Sequence, residues 1–131
     1  MSFFRAGKGG GATETLLWTN PNPSSDMGSS GSVNTVITLS ESYDNYDMLR
    51  IKFKNLKTDA TANLTMDIDP SVLDASGNVR YFMGGTLKVR HIMLPNAQHT
   101  TLTFGAAYTI NSAAGASFDA AIPAYIYGIK N

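Results

Sequence analysis

The chain has 131 residues, 43% of them hydrophobic and only 15% charged, and ten Lys and Arg balance ten Asp and Glu. This length and apolar content predict one folded domain, and the absence of net charge argues against nucleic acid or an anionic membrane surface as a partner. Cysteine is absent, which excludes disulfides, thiol nucleophiles and Cys-based metal sites, and we expect no bilayer-spanning segment, no signal peptide and synthesis in a cytoplasm.

Residues 1–12, MSFFRAGKGGGA, are predicted to form a flexible N-terminal arm, because four glycines offer too much backbone freedom to hold an element. The candidate assembly residues in this arm are Phe3, Phe4, Arg5 and Lys8. We expect the two phenylalanines to dock on a neighbouring subunit, on another partner or on their own domain. A phosphate-binding loop is excluded, because the lysine is followed by glycine where that motif needs Ser or Thr.

Strand signals occupy the first half of the chain. Segment 13–19 alternates as a first strand, a long polar loop spans 20–32, and segment 33–39 is the second strand. The clearest strand lies within 42–54, and another lies around 64–68. In the strand within 42–54, apolar side chains alternate with basic ones: Leu49, Ile51 and Phe53 against Arg50, Lys52 and Lys54. The basic side chains should face solvent and pair across the sheet with Asp67 and Asp69.

Shorter strands follow in the second half. Asp69 is expected to cap one helical turn at 70–74, and two glycines join segments 79–83 and 86–94 as a hairpin. Segments 100–104 and 107–111 are predicted as two strands joined through Gly105. The last strand, 122–129, sets Tyr125 and Tyr127 opposite Ala124 and Ile126, with Pro123 at its start or on an edge-facing side.

Eight or nine short strands without a sustained helical period predict an all-β fold. We expect an antiparallel β-sandwich, jelly-roll-like, with residues 13–131 as one domain. The predicted core consists of Leu16, Trp18, Ile37, Leu39, Leu49, Ile51, Phe53, Leu64, Met66, Ile68, Val89, Leu102, Phe104, Tyr108, Ile110 and Ile126.

No catalytic constellation emerges, so we expect no enzyme activity and assign no catalytic, cofactor-binding or metal-binding residues. His91 alternates with apolar residues and is expected to be a hydrogen-bonded histidine, whereas His99 is expected to be solvated in a polar turn. Segment 67–69 resembles the start of a calcium loop, but the glycine and the bidentate glutamate of an EF-hand are missing. A looser cation site from Asp67, Asp69 and Asp74 stays open.

The turn Tyr43, Asp44, Asn45 and Tyr46 is the candidate glycan-binding site. Aromatic rings can stack on the apolar patches of a sugar while amide and carboxylate groups take its hydroxyls. The structural alternative is that Tyr46 packs under the turn and the two polar residues only shape it. Both interpretations remain open at the level of sequence.

Three segments resemble the small β-rich virion domains of tailed bacteriophages: LLWTNPNPSS at 16–25, TLSESYDNYDMLRIKFK at 38–54 and IPAYIYGIKN at 122–131. This resemblance implies a non-enzymatic virion structural protein of tail-fibre or tail-tip type that attaches to the host surface. It further implies a homo-oligomer, with a trimer favoured, other virion proteins and a host cell-surface glycan as partners, and no cofactor. The alternatives are a capsid decoration or head-fibre protein and a monomeric carbohydrate-binding module.

Overall fold

The computed structural model describes residues 12–27, 35–71, 79–83, 88–93, 98–109 and 120–131. No α-helix occurs among them. A 3-10 turn at Tyr43–Asn45 precedes the third strand, and Pro70 and Ser71 are also in 3-10 conformation, at the start of the helical turn expected after Asp69. The prediction of a mostly β protein built from antiparallel sheets is confirmed. The strands in this part of the chain are β1 Thr13–Thr19, β2 Thr35–Thr38, β3 Met48–Leu56, β4 Leu64–Ile68, β5 Val79–Met83, β6 Lys88–Met93, β7 Thr101–Thr109 and β8 Ala120–Lys130.

The strands form two open antiparallel sheets. The first has the order β1-β8-β3-β4 and the second has the order β2-β7-β6-β5. The C-terminal strand β8 is central in the first sheet, where it pairs with β1 on one side and β3 on the other. Strands distant in sequence therefore lie side by side, and residues near both ends of the domain share the outer face of the first sheet.

Both sheets contribute to one hydrophobic core. On β3, Leu49, Ile51 and Phe53 have no exposed surface, which confirms the predicted alternation of that strand. The rings of Trp18 in the first sheet and Phe104 in the second lie 6.5 Å apart, centroid to centroid. The buried core cluster comprises Leu17, Met27, Ile37, Leu39, Tyr43, Leu49, Ile51, Phe53, Ile68, Ile92, Leu102, Phe104, Ala107, Ala121, Ile122 and Ile126, with Trp18, Leu64 and Met66 partly buried against it.

The core prediction for Leu16 is wrong, because β1 carries one extra residue relative to β8. The register passes from Leu16 opposite Tyr127 to Trp18 opposite Ile126, so Leu17 is the bulged residue. Leu16 consequently stays 49% exposed on the outer face, while Leu17 is buried. The side chains of the other three predicted core residues, Val89, Tyr108 and Ile110, lie outside the described part of the structure.

The predicted break at Gly105 is also wrong, since β7 is continuous. Its pairing with β6 shifts between Arg90 and Ile92, where β7 carries one residue more than its partner. A bulge absorbs such an extra residue without ending the strand, and glycine is common at bulges. Gly105 therefore lies inside one strand rather than between two.

Pro123 lies inside β8 rather than at its beginning. It is opposite Phe53, next to a register shift in the pairing with β3. The pairing of β8 with β1 begins only at Tyr125, so Pro123 has no β1 partner. This agrees with the edge-facing alternative, because proline cannot donate to a ladder.

Candidate binding surfaces

The predicted Tyr43–Tyr46 turn is a compact 3-10 turn whose first aromatic ring is buried. Ser42 caps it by accepting a hydrogen bond from the Asp44 N–H at 3.1 Å. Tyr43 has no exposed surface, and its ring stacks on His99 with centroids 4.8 Å apart and planes 5° from parallel. The structure therefore leaves Tyr43 no ring face for a sugar.

His99 is partly buried rather than solvated, contrary to expectation. Its side chain is 25% exposed, and its Nδ1 lies 2.9 Å from each carboxylate oxygen of Asp44. Its backbone has a positive φ of 58°, and its carbonyl accepts the Tyr43 N–H at 3.0 Å. This histidine thus holds the turn in place from the loop that precedes β7.

Glu41 organises the other side of the turn. Its carboxylate accepts hydrogen bonds from Asn45 Nδ2 at 2.9 Å and from the Tyr46 hydroxyl at 2.8 Å. These two bonds lower the pKa of Glu41 below its ordinary value. Among the four predicted site residues, Asn45 and Tyr46 therefore already have partners in their own turn, so the geometry supports the structural alternative better than a sugar platform.

Arg50, on the basic face of β3, is paired with two acidic neighbours. Arg50 donates from Nε to Asp67 at 2.8 Å and from Nη2 to the same carboxylate at 3.1 Å, and it also pairs with Glu14. The bonds to Asp67, followed by those to Glu14, raise the pKa of the guanidinium. The predicted pairing with Asp67 is confirmed for Arg50. Asp69 instead accepts the Ser71 N–H at 3.0 Å, as expected of a residue that caps the following turn, and its hydrogen bonds from Ser71 lower its pKa.

A group of partly exposed aromatic and aliphatic side chains, not predicted as a site, lies on the outer face of the first sheet. Tyr125 and Tyr127 have ring centroids 6.4 Å apart and tilted by 40°, and Lys52 Nζ lies 5.4 Å from the Tyr127 ring centroid. Tyr125 is 38% exposed, and Leu16 lies opposite Tyr127 on β1. The Tyr-x-Tyr alternation in β8 was the available sequence signal for this aromatic face.

Tyr125 lines a cleft of about 610 Å³, which we call the Tyr125 cleft. Its walls come from the loop after β1, from the end of β3, from the β3–β4 turn and from β8. Lys54 lines it and is only 6% exposed, which corrects the expectation that this lysine faces solvent. The reason is that the two loops cover it: its ammonium donates to the carbonyl oxygens of Pro23 at 3.2 Å and Lys57 at 2.7 Å.

Several sequence predictions lie outside the described residues. They are the assembly arm with Phe3, Phe4, Arg5 and Lys8, the Asp74 carboxylate of the looser cation site, and the side chain of His91. Within the described ranges, no three His, Asp or Glu side chains are grouped as metal ligands. In the same ranges, no helix is long and apolar enough to cross a membrane.

Comparisons with known proteins give no relative for this chain. No protein-family model, no curated protein and no solved structure matches it.

Proposed function

We propose that this chain is a non-enzymatic structural protein of a bacteriophage virion, a tail-fibre or tail-tip type module that attaches to the host surface as a homo-oligomer. The observation that carries the proposal is the outer face of the first sheet, where Leu16, Tyr125 and Tyr127 lie together and Leu16 and Tyr125 are substantially exposed. Grouped apolar side chains on a flat face are typical of interaction sites. The resemblance of three segments to phage virion domains supplies the particle context.

The proposal includes a β-sandwich with jelly-roll-like connectivity. The two sheets share one core, and consecutive strands β1 and β2 lie in different sheets. They pair with the last two strands, β8 and β7. An arrangement of this kind supports a jelly roll, in which eight strands fold into two sheets through Greek keys.

Two measurements test the assignment. Mass spectrometry of purified phage particles should detect the chain, and light scattering of the purified protein should give the mass of an oligomer, a trimer being favoured. Absence from particles would refute the virion role, and a monomer at high concentration would refute the homo-oligomer.

A capsid decoration or head-fibre protein is the alternative location in the particle. Labelled antibodies against the chain should bind at the tail under the main proposal. Labelling of the head would contradict the attachment role and favour a capsid decoration or head-fibre protein instead.

A further inference from the structure

We propose that the Tyr125 cleft binds a carboxylate-bearing saccharide, with the ammonium of Lys54 as the partner of the sugar carboxylate and Tyr125 as the stacking surface. The proposal names the ligand class for the attachment role proposed above and rests on that role. The cleft volume of about 610 Å³ lies within the range of ~300–1,000 Å³ usual for ligand clefts.

The first argument is the charge state of the cleft wall. A lysine that is only 6% exposed normally has an anionic partner, because removing a cation from water is costly. Here the acceptors are two backbone carbonyls, and within the described ranges no carboxylate lies at salt-bridge distance from Lys54. An ammonium has three hydrogens to donate, so one donor remains for a ligand. A carboxylate in the cleft would supply both the missing charge and the third acceptor.

The second argument is the composition of the remaining wall. Tyr125 presents a ring that is 38% exposed, and such rings pack against the apolar face of a sugar. Ser24 and Thr61 offer hydroxyls that can donate to and accept from sugar hydroxyls. Small side chains, among them Ala62 and Ala124, leave room beside the ring. This mixture suits a saccharide better than a purely apolar or purely ionic ligand.

One acidic residue, Asp59, also lines the cleft. Its carboxylate accepts the Leu56 N–H at 3.1 Å and so closes the β3–β4 turn. Its negative charge should weaken the binding of an anionic ligand. We therefore expect Asp59→Asn, which keeps an acceptor for the turn, to tighten binding of the acidic saccharide.

The test uses the purified full chain and an array of uronic-acid and sialic-acid oligosaccharides, each printed beside its methyl ester. Acid and ester share the sugar rings and differ in charge, so the comparison isolates the contribution of the carboxylate. We expect at least one acid to bind and its ester to bind about ten-fold more weakly or worse, the loss of one good charged contact. Absence of binding to every acid, or equal binding of acid and ester, would overturn the proposal.

Variants then locate the site. Tyr125→Ala and Lys54→Met should each weaken binding of the acid about ten-fold or more, and Tyr125→Phe should retain it. Val36→Ala is the control, since Val36 is 62% exposed on β2 in the other sheet and does not line the cleft. Ala62→Trp, which fills the cleft from a loop, covers the case that Lys54→Met fails to fold. Retained binding in Tyr125→Ala and Ala62→Trp would refute the cleft as the site.

The two proposals can fail separately. A chain found in purified particles that binds no acidic saccharide would leave the virion role and remove this ligand. A chain that binds such a saccharide in the cleft but is absent from particles would remove the virion role and leave the binding site.

Discussion

The ring of Tyr46 lies directly against the backbone of Gly128. A Cβ placed on residue 128 would come within 2.5 Å of ring carbons of Tyr46, closer than any ordinary contact. The turn before β3 therefore packs on the central strand β8 only because residue 128 has no side chain.

Gly128→Ala should consequently destabilise the fold. We expect a loss of roughly 1–3 kcal/mol in the free energy of unfolding, the usual cost of overpacking a filled site. Urea denaturation measures it. In the Tyr46→Ala background, where the ring is absent, the same substitution should cost clearly less, and an equal cost in both backgrounds would contradict the contact.

The bulge in β1 predicts opposite behaviour for two adjacent leucines. Leu17→Ala should cost about 2–5 kcal/mol because Leu17 is buried, whereas Leu16→Ala should change stability by less than about 0.5 kcal/mol. Thermal and urea unfolding of the two variants provide the comparison. A larger loss at Leu16 would mean that the register of β1 is not the one described.

The ion pairs of Arg50 should contribute modestly and in a salt-dependent way. The Arg50 side chain is 31% exposed, the side chains of its partners Glu14 and Asp67 are about 40% exposed, and such pairs contribute up to about 1 kcal/mol. Arg50→Met retains much of the side-chain stem and removes the charge. Its deficit in the free energy of unfolding should shrink as NaCl is raised, because salt screens exposed charges. A deficit independent of salt would instead point to packing by the stem.

The lowered pKa of Glu41 predicts that this residue contributes to the loss of folding stability in acid. Hydrogen bonds from Asn45 and Tyr46 lower its pKa in the folded state below its ordinary value of 4.5. A carboxyl with a lowered folded pKa adds stability above its unfolded pKa, and that stability is lost as the pH falls through the folded value. Glu41→Gln cannot titrate, so its urea midpoint should fall less than that of the native chain as the pH drops below 4.5. An equal fall of the urea midpoint in both proteins would show that Glu41 does not contribute to the loss of stability in acid.

Local alternation predicted the strands well because side-chain direction in a strand depends only on neighbours in sequence. β1, β4 and β5 have the predicted bounds, and the apolar face of β3 is buried as expected. These two features need no knowledge of which strand lies beside which. The expected pairing of the basic face with Asp67 is confirmed only for Arg50, and it does depend on β4 lying beside β3.

The tertiary structure decided what depends on distant segments. One extra residue in β1 relative to β8 turns Leu16 outward, and the loop after β1 covers Lys54 on a face that alternation assigns to solvent. The Tyr43–Tyr46 turn, for which the sequence left a glycan site and a purely structural turn open, is held by His99 from a distant loop. The residues proposed here to bind a ligand, Lys54 and Tyr125, become neighbours only when β8 pairs with β3, a contact that no local pattern contains.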